Sequence, residues 1–105
     1  MLTFVCTKEM FGMKNYTTVR NIHGTSDNPP PSGYADWKDF WEKKKGRYFD
    51  TCSAMHCNND AQVGAHVHKV GGQKWYIVPF CHSCNNKHDS EFSVPIDDLC
   101  PINNN

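Results

Sequence analysis

Apolar positions along the chain recur with the periods of both regular secondary structures. From Tyr34 to Lys45, the run YADWKDFWEKKK sets Trp37, Phe40, Trp41 and Lys44 at i, i+3, i+4 and i+7, a spacing that lines up on one face of a helix. Asp36 and Asp39 stand early, Lys43, Lys44 and Lys45 late, and Gly46 follows, which complements the helix dipole and supplies a glycine stop. The pattern predicts an amphipathic helix with its aromatic stripe in the core. Upstream, Phe4, Val5 and Phe11 are scattered, but YTTVRNI from Tyr16 to Ile22 is β-branched enough for one strand. Between them SDNPPPSG, Ser26 to Gly33, holds three prolines and reads as a connector.

Residues 61–80 change period from helical to alternating. AQVGAHVHKV places Val63, Ala65 and Val67 on one face and His66 and His68 on the other, Gly71 and Gly72 follow, and WYIVPF returns. That is the pattern of a β-hairpin. The polar run CNNKHDSEF then suits one or two helical turns, and the tail SVPIDDLCPINNN reads as an extended strap ending in disorder.

Composition shows why pattern alone is insufficient. Leu, Ile, Val and Phe supply only 19 of the 105 residues, and Asn supplies ten, so a core built by burial alone would be thin. Charge is balanced at 11 basic against 11 acidic residues, which excludes a strongly basic nucleic-acid tail and a highly charged disordered chain. Six Cys and six His offer the missing support. The first twenty residues, MLTFVCTKEMFGMKNYTTVR, hold no apolar run of signal-peptide length, and no window approaches a membrane span. The expectation is a soluble, cytoplasmic monomer with no membrane partner, in which clustered thiols serve metal sooner than disulfides.

Cys52-x4-Cys57 and Cys81-x2-Cys84 flank the hairpin with 23 residues between them. Two cysteines two to four residues apart can fold back as a knuckle, and two knuckles complete the tetrahedron of thiolates that structural zinc prefers. Cys52, Cys57, Cys81 and Cys84 are therefore assigned to one structural zinc. His56 or His82 could replace a neighbouring cysteine as ligand, though four thiolates form the simpler set. Two disulfides disagree with the compartment, and a redox Cys81-x-x-Cys84 lacks a surrounding βαβ pattern. Cys6 and Cys100 read as small buried hydrophobes, and His23 as an ordinary surface or core residue.

A knuckle, a hairpin and a Cys-x-x-Cys opening a short helix follow one another in the order of a treble clef. GAHV (Gly64 to Val67) and IVPFCHSCN (Ile77 to Asn85) resemble the HNH endonuclease group of that fold. They look still more like small, functionally unassigned proteins carrying GAHV, YIVP and CxxCN together. The resemblance spans about residues 50–92. It implies a metal-dependent nuclease with His66 as general base and Asn85 as a ligand of Mg²⁺ or a transition metal, with His88 or His68 compensating for the missing acidic ligand. The match is incomplete. The acidic residue usually preceding the histidine is Ala65, and the position of the orienting asparagine falls near Trp75 or Tyr76. Alternatively His66 is a half-exposed strand histidine, or one that caps the helix beside the knuckle.

The expected architecture is a single α+β domain. Residues 1–49 give a strand, connector and helix packed on a zinc-bound treble clef at 50–92, and residues 93–105 give the strap. The expected function is a non-catalytic, zinc-stabilised binding module, with a divergent HNH-like nuclease as the alternative. A protein partner is favoured, anchored by Tyr34, Trp75 and Tyr76 if exposed. Lys43, Lys44, Lys45 and Arg47 form the single patch to which a nucleic acid would bind, against an acidic stretch of Asp89, Glu91, Asp97 and Asp98.

Overall fold

The structure, a computed structural model, describes residues 15–22 and 28–102. Cys6, His23 and the end of the tail lie outside those residues. The described chain is α+β: strand β1 (Tyr16–Asn21), helix α1 (Trp37–Lys45), strands β2 (Val63–Lys69) and β3 (Trp75–Phe80), helix α2 (His82–Asn85), strand β4 (Glu91–Pro95), a 3₁₀ turn (Ile96–Asp98) and strand β5 (Cys100–Pro101). The strands form one sheet in the order β4-β1-β2-β3-β5, and every neighbouring pair is antiparallel. Among the described residues no helix is long and apolar enough to cross a membrane.

The hairpin keeps the anticipated alternation, with Val63 opposite Phe80, Ala65 opposite Val78 and His66 opposite Ile77. Both faces, however, are covered. Val19, Ala65, Val67, Val78, Phe80 and Val94 build a core on one side together with the four clustered cysteines. On the other side Phe40, Trp41, Ile77 and Cys100 pack together under α1. Cys100 thus occupies the small buried apolar position expected of it.

Helix α1 forms as its sequence dictates. Asp36 is the N-cap, its carboxylate accepting the Asp39 N–H, and Gly46 closes the helix at φ 73°, a left-handed conformation that glycine adopts without Cβ strain. Trp41 donates its indole N–H to the Asp98 carbonyl at 2.8 Å. Arg47 lies over the Trp41 ring and pairs with Asp98 at 2.8 Å. The helix is thereby tied to the 3₁₀ turn near the chain's end.

Two elements are built in more closely than the sequence indicated. The first strand, expected to pack against the cysteine unit, lies inside the sheet as β1 between β2 and β4. The tail beyond residue 93, expected as an extended strap, is extended and joins the sheet: it completes β4 at one edge and forms β5 at the other. Its prolines fit because Pro95 ends β4 and Pro101 lies in the two-residue β5, places where a missing ladder N–H is tolerated.

Candidate metal centre

Residues 50–62 double back on themselves through the Ala61 N–H to the Asp50 carbonyl, the Cys52 N–H to the Asn59 carbonyl, and a bridge between Thr51 and Asp60. Within this loop His56 takes a left-handed φ of 68°, and the Cys57 N–H reaches the Ala54 carbonyl at 2.9 Å. The turn makes Cys52 and Cys57 a knuckle. It is fastened to the sheet by the Ser53 N–H, which donates to the Pro79 carbonyl at 2.8 Å. That bond lies on the side of β3 away from β2, the side to which a residue 79 N–H would also point, so proline is tolerated there.

The second knuckle opens α2. Cys81 is its N-cap, and the Cys81 sulfur accepts the Cys84 N–H at 3.4 Å. The Asn59 side-chain amide approaches the same sulfur at 3.7 Å. The four sulfurs of Cys52, Cys57, Cys81 and Cys84 all lie within 4.8 Å of one another. Cys57 to Cys81 is 3.9 Å and Cys57 to Cys84 is 4.0 Å. These are too long for disulfides, whose sulfurs bond at about 2.05 Å. They match the edge of about 3.8 Å that a tetrahedron with metal–sulfur bonds of about 2.3 Å requires. The quartet can hold a metal ion, and all four cysteines are free thiols.

The electrostatics suit that role. Burial works to raise the Cys81 thiol, but the Cys84 N–H, the Asn59 amide and the neighbouring thiols outweigh it and bring the group down to about 6. Burial and the adjacent Cys81 push Cys84 well above the ordinary thiol range, and burial raises Cys52. One sulfur is ready to coordinate near neutral pH, and a bound dication would draw the protons from the others.

The remaining candidates lie elsewhere. His56 is exposed at its left-handed corner, and His82 is exposed with its backbone N–H on the Gln62 side chain at 3.0 Å; neither joins the quartet. His66 is 6% exposed, not half-exposed, and lies on the face of the sheet away from the helix beside the knuckle. It points to the α1 face, 4.8 Å from the Trp37 ring and 6.1 Å from Trp75, edge-on to both. Asn85 is on the opposite face: its carbonyl accepts from Asn21, which is paired with Val67. His68 turns its Nδ1 to the Lys69 carbonyl at 3.0 Å, and His88 lies in the exposed stretch after α2. Among the described residues the cysteine quartet is the only group of three or more His, Cys, Asp or Glu gathered closely enough to share one ion.

Three supporting residues carry no signal that spacing alone reveals. Asn59 approaches a sulfur. Asn21, 1% exposed, donates to the carbonyls of Asn85 at 2.7 Å and Lys87 at 3.2 Å, fixing the end of α2 on β1. In the GAHV run, a Cβ on Gly64 would stand 2.9 Å from the Trp37 backbone and from Ile77, so glycine lets α1 approach the sheet.

No protein-family model matches the chain, and no curated protein or solved structure is significantly similar to it.

Proposed function

We propose that this chain is a non-catalytic, zinc-stabilised binding module of the cytoplasm, with Cys52, Cys57, Cys81 and Cys84 holding one structural zinc in a treble-clef arrangement. The observation that carries the reading is the gathering of four sulfurs from two knuckles, within 4.8 Å of one another. Four thiolates fill zinc's tetrahedral coordination and leave no open position for a substrate. The order of knuckle, hairpin and cysteine-capped helix supports the treble clef.

The partner is a protein rather than a nucleic acid. Within the basic patch Lys43 pairs with Asp39 and Arg47 with Asp98, which leaves too few uncommitted charges for extensive phosphate neutralisation. Trp75 is 41% exposed and offers an aromatic anchor of the kind that dominates protein interfaces, while Tyr34 and Tyr76 are half-buried.

The HNH-like nuclease reading has less support. It needs His66 and Asn85 to converge on one metal, yet these residues belong to opposite faces of the sheet. The test exposes zinc-loaded full chain to plasmid and single-stranded DNA with Mg²⁺, Mn²⁺ and Ni²⁺, and measures duplex binding against salt. The expected result is no cleavage and no steep salt dependence. Cleavage abolished by His66→Ala, or strongly salt-dependent duplex binding, would overturn the reading.

A further inference from the structure

At the interface between α1 and the hairpin, His66 sits in largely apolar surroundings. His66 is inserted edge-on between Trp37 and Trp75, and its Nε2 is buried with no hydrogen-bond partner among the described residues. Beside it an open cavity of about 360 Å³ is lined by Asn28, Pro29, Pro31, Trp37, Trp75 and Ile102. None of these side chains is charged.

We infer that His66 is an acid-sensitive latch: protonation of its imidazole loosens the seat of α1 on β2 and β3 and widens the cleft between Trp37 and Trp75.

Among the described residues, most charges on the elements packed around His66 are engaged away from it. On α1, Asp36 caps the helix, Asp39 pairs with Lys43, Glu42 accepts the Phe49 N–H, Lys38 lies over the Phe49 ring and Lys44 over Phe40. Arg20 of β1 pairs with Glu91. Along β2, His68 bonds the Lys69 carbonyl and Lys69 lies over Tyr76. On β3 the cross-strand neighbours of His66 and His68 are Ile77 and Trp75. The carbonyl of Asn28 already accepts the Trp37 indole N–H at 2.8 Å. Among the described residues an imidazolium would therefore find no counter-charge in this seat, an unfavourable condition for a buried charged side chain. Burial accordingly holds the His66 pKa below the ordinary 6.5.

The sign follows from proton linkage. The unfolded chain takes up the proton at about 6.5, whereas folded His66 resists it, so the latch is fully closed above that pH and weakens as pH falls below it. Relief comes by exposing the ring through the cleft, with half-exposed Trp75 as its movable wall.

The opposing possibility is a cation–π attraction from the two indoles, which would favour the charged ring. Site-specific NMR titration of full-length, metal-loaded protein from pH 8 to 5 separates the two. His66 should titrate below 6.5, and the indole N–H signals of Trp37 and Trp75 should move with the same midpoint. Cβ shifts of Cys52, Cys57, Cys81 and Cys84 should stay constant through that transition. In His66→Phe the tryptophan transition should vanish. A His66 midpoint at or above 6.5 overturns the latch in the wild-type protein alone, whether or not the variant folds. So does a tryptophan transition that coincides with changes at the cysteines instead.

Discussion

Gly64 and His66 belong to the short GAHV run of β2, and both pack against α1. Gly64 lies against Trp37 and Ile77 with no room for a Cβ. Gly64→Ala should therefore lower unfolding free energy by about 1 to 3 kcal/mol through overpacking, read by urea denaturation with an unchanged zinc content. Asn21→Ala should cost about 1 to 3 kcal/mol by leaving the Asn85 and Lys87 carbonyls with one partner fewer in a half-buried position, and amide exchange in α2 should quicken more than in α1. The clustering of Cys52, Cys57, Cys81 and Cys84 was legible because paired spacing of this kind brings thiols together. Asn21 and Asn59 were not, since their importance comes from distant groups: Asn21 meets a carbonyl 64 residues away and Asn59 a sulfur 22 residues away.

Local chemistry makes α1 readable in the sequence. The aromatic stripe, the early aspartates and the Gly46 stop all act within one short segment, and in the structure Asp36 becomes the N-cap. Removing the cap by Asp36→Ala should cost about 1 kcal/mol, visible as a lower midpoint in thermal denaturation. Only the helix start was overestimated, at Tyr34 instead of Trp37. The hairpin was legible for the same reason, its period of two being uninterrupted. The tail was not, because Pro95 and Pro101 signal breaks to a local reading. Pairing decides the outcome instead: Tyr16 meets Pro95 at one end of the β4 ladder, and Tyr76 meets Pro101 on the far side of the sheet.

At the scale of the whole molecule, the sheet is a shared wall between two small cores, one holding the cysteine quartet and the other holding α1. Neither core is large, as the scarcity of aliphatic residues required. Metal binding to thiolates supplies folding free energy directly, with apparent values of about 10 kcal/mol or more for structural zinc in finger peptides. Chelation should consequently collapse near-UV circular dichroism across both cores, not only around the knuckles. Cys57→Ser should do the same at moderate chelator concentration, whereas Cys100→Ser should lower stability modestly and leave metal binding intact, because Cys100 packs with Phe40, Trp41 and Ile77. The measurement that tests the account most directly is the zinc-to-chain ratio of protein purified under reducing conditions without chelator. A ratio of one, falling together with tertiary structure on chelation, is the predicted result. A folded chain with no bound zinc would contradict it.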